Sequence, residues 1–146
     1  MSFDPDRFAV ALLTSMPDAV VYSDVEGRIQ FWNNGAEAMF GFTSAEAVGQ
    51  SLDIIVPENL RKRHWDGYEV TMRTGVTRYG AGDLLSVPAI RKDGSRLSTE
   101  FTIVPFKDES GRMLGIAAIM RDVSKRFEEM RALRKQAAAA GTAASS

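Results

Sequence analysis

No cysteine occurs among the 146 residues, and that single absence closes several routes. Disulfide stapling, thiolate metal sites, cysteine nucleophiles and a covalent thiol adduct with a chromophore are all excluded. It also fits a reducing compartment. Histidine is nearly as scarce, because His64 is the only one. No serine–histidine–carboxylate spacing assembles around it, and a metal site built from protein side chains alone would need carboxylates, which do not cluster. An excess of either charge is missing too. Eighteen basic residues face nineteen acidic ones, a net charge of −1, so no global field draws the chain onto nucleic acid or an anionic membrane. No apolar run approaches the roughly 20 residues that span a bilayer. The start, "MSFDPDRFAVALL", is acidic where a secretory signal needs a basic region. These gaps predict a cytoplasmic protein that is not an enzyme and has neither nucleic-acid nor membrane partners.

Hydrophobic residues make up 45% and charged residues 25% of the chain, the balance of one ordinary globular domain. Apolar residues at helical spacing around Phe8 and Leu12 predict a first helix, which Met16-Pro17 stops. "DAVVYSD" and "RIQFWN" flank a glycine-bearing turn and predict a hairpin. Short helical pieces follow, broken by Gly41, Gly49 and Pro57, with Thr43 or Ser44 as a cap. Pro57 can open and Gly75 can close a longer helix. Gly80 to Asp83 ("GAGD") reads as a loop, since a dinucleotide-binding glycine turn would need a strand before it and a helix after. Three strand-like runs come next, divided by "KDGS" and "DESG" turns. Leu97, Thr99, Phe101 and Ile103 alternate onto one face. The five strands are expected near 18–24, 27–32, 83–91, 96–107 and 112–122. The last helix carries Val123, Phe127 and Met130 as a narrow stripe that Arg134 interrupts, with a mobile tail after Gly141. The fold class is α+β with an antiparallel sheet.

Five stretches in order, "MPDAVVYSDVEGRIQFWN", "NGAEAMFGFTSAEAVGQSL", "IIVPENLRKRH", "IRKDGSRL" and "GIAAIMRDVSKR", resemble the PAS sensor domain over about residues 16–124. The resemblance implies a five-stranded antiparallel sheet in spatial order 2-1-5-4-3, helices covering one face, and flanking helices at 1–15 and within 125–146. Within that family, "PENLRKRHWDGYEVTMRTG" is similar to the helix of haem-binding oxygen-sensor kinases that carries the axial histidine. His64 stands at the matching position, which implies that it is the metal ligand of a haem b. Those sensors place an oxygen-stabilising arginine on the following strand, and here Leu85 occupies that place, with Asp83 nearby.

Leu60, His64, Tyr68 and Met72 fall at steps of four, a mostly apolar stripe aimed at the sheet. Arg61, Lys62 and Arg63 would then lie at a pocket rim, able to meet carboxylates. Leu60, Tyr68, Leu85, Ile103, Ile119 and Met120 are the expected lining around His64. The blander reading of His64 is a partly exposed helix residue with a satisfied hydrogen bond, in a domain holding no cofactor or an unknown small ligand. Non-covalent flavin would use Trp32, Asn33 or Asn34 at the sheet edge, although packing explains Trp32 more simply. Met39, Phe40, Phe42, Phe101, Phe106, Met113, Ile119 and Met120 serve as core alone if the domain is a cofactor-free interaction module. No kinase, cyclase or helix-turn-helix pattern follows Ser124, so signal is expected to leave through a homodimer or a separate signalling protein.

Overall fold

The computed structural model describes residues 2–76 and 85–145, without the side chains of Leu85 and 142–145. The first helix, α1, runs Pro5–Ser15, and Asp4 caps it by accepting from the backbone of Asp6 and Arg7. It buries none of its residues. Strands β1 (Ala19–Asp24) and β2 (Ile29–Trp32) form the expected hairpin. Helices α2 (Asn34–Phe40) and α3 (Ser44–Ala47) follow, and Thr43 with Glu46 makes a reciprocal capping box at the start of α3. A 3-10 turn at Leu52–Ile55 and another at Glu58–Leu60 lead into α4 (Arg61–Thr74). Gly75 ends α4 at φ 72°, a left-handed conformation that costs a glycine nothing.

Strands β3 (Leu85–Ile90), β4 (Arg96–Lys107) and β5 (Met113–Asp122) complete one sheet in the order β2-β1-β5-β4-β3, antiparallel throughout. That is the expected order. The loop expected at Gly80–Asp83 lies outside the described residues, as do the first two positions of the expected third strand. Directly paired residues share a face, so register assigns the sides. Ala19, Val21 and Ser23 pair with Met120, Ala118 and Ile116, which pair with Phe101, Ile103 and Pro105. This inner face carries the core, with Ile29, Trp32, Phe40, Leu52, Ile55 and Tyr68 packed above it. Val20, Tyr22, Ile119, Thr102, Val104 and Phe106 alternate onto the outer face.

The last helix, α5, runs Ser124–Ser145. It passes Gly141, where the sequence suggested a tail, because the alanines before that glycine are the strongest helix formers. Its root is fixed. Val123 donates to the Ser98 carbonyl (2.8 Å), Ser98 donates to Ser124 Oγ (2.9 Å), and Ser124 donates to Asp122 Oδ1 (2.9 Å). Arg91 adds an ion pair to Asp122 at 3.0 Å.

Candidate functional site

Helix α4 lies over the inner face and is fastened at three points. Tyr68, only 8% exposed, donates its hydroxyl proton to the Asp24 carbonyl. With that proton spent, the 2.9 Å contact to Ser23 Oγ has serine as the donor. Burial pushes the Tyr68 phenol up, so it stays protonated. Trp65 donates from Nε1 to Asp53 Oδ1 at 2.7 Å. Its ring lies over Gly27, where a Cβ would come within 2.2 Å of the indole carbons. Gly27 also has φ 80°, so both its backbone and the space above it require glycine. Arg61 donates to the carbonyls of Val56 (3.2 Å) and Asp53 (3.3 Å).

His64 sits between these anchors, half-buried, with its ring 4.7 Å from Trp65 and 5.8 Å from Tyr68. Burial holds its pKa below the usual histidine value, and Asp53 offsets part of that shift. The imidazole is therefore neutral at pH 7. Its Nδ1 is buried and meets no hydrogen-bonding partner. An unpaired buried nitrogen is a cost that folded proteins avoid unless the group has other work.

The expected lining separates into groups. His64 and Tyr68 are in contact. Ile103 and Met120 stand on the inner face and pack on the core, in successive rows beyond the Ser23–Ile116 row that Tyr68 reaches. Leu60 is half-buried in the 3-10 turn before α4, outside the core cluster. Ile119 is a correction. Paired with Val20 and Thr102, it faces away from α4 and lines nothing that His64 can reach. The side chain of Leu85 lies outside the described residues. The expected basic rim is also revised, since Arg61 turns to backbone carbonyls and Lys62 pairs with Asp66 at 2.8 Å.

Sequence reasoning missed two residues. The stripe of Leu60, His64, Tyr68 and Met72 leaves out Trp65, which packs against the core. Its spacing to Tyr68 and Met72, three then four, was the available signal. Asn33 is a structural hub rather than a flavin contact. It is 2% exposed, accepts from Val20 (2.8 Å) and Ala36 (2.9 Å), and donates to Leu13 (2.8 Å) and Asp18 (3.0 Å). All its side-chain hydrogen bonds join α1, β1 and α2. Trp32 is buried and donates to the Phe42 carbonyl at 2.9 Å.

Two open clefts are formed elsewhere, neither lined by His64. One, of about 380 Å³, lies where Pro17 and Gly35 meet Arg121. The other, of about 190 Å³, lies between α5 and the outer-face residues Ser86 and Glu100. Among the described residues no three His, Cys, Asp or Glu side chains are grouped as a metal site, and no helix is long and apolar enough to cross a membrane.

Comparison with known proteins follows the same lines. Sensor protein FixL of Bradyrhizobium diazoefficiens is 34% identical over 93 residues, covering 64% of this chain and 18% of that protein. Oxygen sensor protein DosP of Escherichia coli is 28% identical over 117 residues, covering 80% of this chain and 14% of its own length. The chain thus spans under a fifth of either relative. The crystal structure of a PAS domain from Colwellia psychrerythraea superposes with a TM-score of 0.71 at 22% identity, over 84% of this chain and 99% of that one. The PAS domain family model matches residues 17–125, from the residue before β1's lead-in to the root of α5, and the chain belongs to that family.

Proposed function

We propose that this PAS sensory domain holds a haem against α4, with His64 as the axial ligand, and reports a diatomic gas through its terminal helices. The observation that carries the reading is the neutral, half-buried imidazole with an unpaired buried nitrogen. A neutral imidazole is the form that ligates iron, and a turn of the ring exchanges its two nitrogens. The donor set therefore fits a haem. Ile103 and Met120 supply apolar inner-face surface beyond the helix. The names of the relatives, a sensor protein and an oxygen sensor protein, point the same way. When bound, the iron would offer an open coordination position to a gas. This chain's part is to present the imidazole, hold its helix at Tyr68, Trp65 and Arg61, and keep water from the inner face. The absence of cysteine supports a reducing, cytoplasmic setting.

Expression with a haem precursor followed by an absorption spectrum tests the reading. A histidine-ligated band that disappears in His64→Ala supports it. A colourless wild type, or full binding by the variant, overturns it. A second reading has its own support: Tyr68 and Trp65 fill much of the space under α4 with core, as in a cofactor-free interaction module. A colourless protein that still associates would be that module.

The state of the pocket is read out, in either case, through a homodimer. Strand β5 continues into α5 with one intervening residue, so any shift of the strand moves the helix. Phe127 and Met130 are each 48% exposed on that helix, and Val104 and Phe106 remain exposed on the outer face, a patch that self-association would cover.

A further inference from the structure

Where α1 leads in and α5 leads out, the outer face carries a row of charges of alternating sign. Glu100 and Arg121 continue that face from Thr102 and Ile119, and they stand directly opposite one another on β4 and β5. On the other side of Arg121 lies Asp18, one residue before the Ala19–Met120 pair. Arg126, in the first turn of α5, ends the row at Glu100. The order is therefore Asp18, Arg121, Glu100, Arg126, carboxylate and guanidinium in turn. Two ion pairs divide it. Arg121 Nε meets Asp18 Oδ2 at 3.1 Å, and Arg126 pairs with Glu100.

The two middle residues are thus cross-strand neighbours that each bind away from the other. Directly opposed residues have Cβ atoms about 5 Å apart, well within the reach of an arginine. Arg121 therefore has a second carboxylate at hand. Exposure shows which groups can move. The side chains of Asp18 and Glu100 are 23% and 17% exposed, those of Arg121 and Arg126 70% and 62%. The anions are held in place while the cations can swing, and pairs with so exposed a partner differ little in energy.

Each pair fastens one end of the chain. Helix α1 buries none of its residues. Its exit is held by Asn33 at the Leu13 and Asp18 carbonyls and by Arg121 at the Asp18 side chain. Helix α5 is tied to β4 at its root, through Val123 and Ser124. The Arg126–Glu100 pair is the next hold along it, just before the half-exposed Phe127 and Met130. We propose that Arg121 is a two-position latch coupling the terminal helices. Turned to Asp18, it holds the α1 exit and leaves Glu100 to hold α5. Turned to Glu100, it lets Asp18 go and weakens the hold on Arg126, because two guanidinium groups on one covered carboxylate repel each other. A pull on either helix is thereby felt at the other while the sheet stays still. The latch lies within one chain and depends on neither haem nor a dimer.

Amide hydrogen exchange of the full chain at high dilution, read separately over α1, β4 and α5, tests the latch. Asp18→Asn removes the first partner, so Arg121 turns to Glu100. The α5 amides beyond Arg126 should then exchange about threefold faster, although the substitution lies at the other end of the row. With Arg121→Gln added, that effect on α5 should vanish, since nothing is left to compete for Glu100. The reverse arm leaves Asp18 as it is. Arg126→Gln lets Glu100 draw Arg121 away, and the α1 amides should exchange about threefold faster. In an Arg121→Gln background, Arg126→Gln should add nothing at α1. The β4 amides should stay protected throughout. An α5 unmoved by Asp18→Asn, or an α1 unmoved by Arg126→Gln, overturns the latch. So does an effect of Asp18→Asn on α5 that persists without Arg121. Faster exchange across β4 in both arms would mean that the pairs hold the whole fold, and would overturn it as well.

Discussion

His64 is the only histidine, so no other imidazole contributes to a titration between pH 5 and 7. Burial lowers its folded pKa, so the unfolded chain takes up the proton first as pH falls. Stability should therefore drop as pH goes below about 6.5, the ordinary histidine value, and level off once pH passes below the folded pKa. Thermal unfolding of the wild type across pH 5 to 7, compared with His64→Gln, checks this. A wild-type melting temperature no more pH-dependent than the variant's would contradict it. Bound haem should steepen the loss, because iron and proton compete for the same nitrogen. Asn33 offers a second test at one residue. Asn33→Ala removes two acceptor and two donor bonds from a buried site and should cost about 3 kcal/mol or more in urea unfolding. A flavin contact would instead leave stability nearly unchanged.

Among the elements, α4 carries the proposed ligand His64 and is also where local pattern informed least. Tyr68→Phe removes the hydroxyl between Ser23 and Asp24 and should lower stability by about 1–2 kcal/mol by denaturant titration. Gly27→Ala drives a methyl into Trp65 at a positive φ and should cost about 2 kcal/mol or more. Trp65→Gly in the Gly27→Ala background should recover part of that loss if the indole is the obstacle. The strands were legible because alternation fixes a face at every second residue: Leu97, Thr99 and Ile103 fell on the inner side as read. The same rule, applied to β5, would have placed Ile119 opposite Met120, and grouping both in one pocket ignored it. On α4, steps of four overrun the 3.6-residue turn by about 40° each, so the stripe starts far from Trp65 at Leu60 and swings toward its side only by Tyr68 and Met72. Asn33 was illegible for another reason. Its partners Leu13, Asp18, Val20 and Ala36 meet only after three elements assemble, which no local pattern encodes.

For the whole molecule, the sheet divides the labour between its faces. The inner face is closed by α2, α4 and the turns between them, with Phe40, Leu52, Ile55 and Tyr68 in its core. The outer face carries exposed Val104 and Phe106, with Phe106 edge-on to Tyr22 at 5.5 Å. Strand β5 belongs to both faces, and its end is locked to β4 and to the β3–β4 turn through Ser98 and Arg91. A displacement under α4 that reaches β5 must therefore move α5, and through it the second copy of the proposed homodimer. Phe127 stands at the start of that route, half-exposed beside the α5–β4 cleft. Phe127→Glu puts a charge where an apolar contact would be buried and leaves the core of its own chain untouched. It should shift sedimentation to the monomer while the melting temperature at high dilution matches the wild type within about 2 °C. Retained dimerisation would remove α5 from the interface. A large drop in melting temperature at that dilution would instead mean that Phe127 supports its own fold, so that the helix ends the domain without leading out of it.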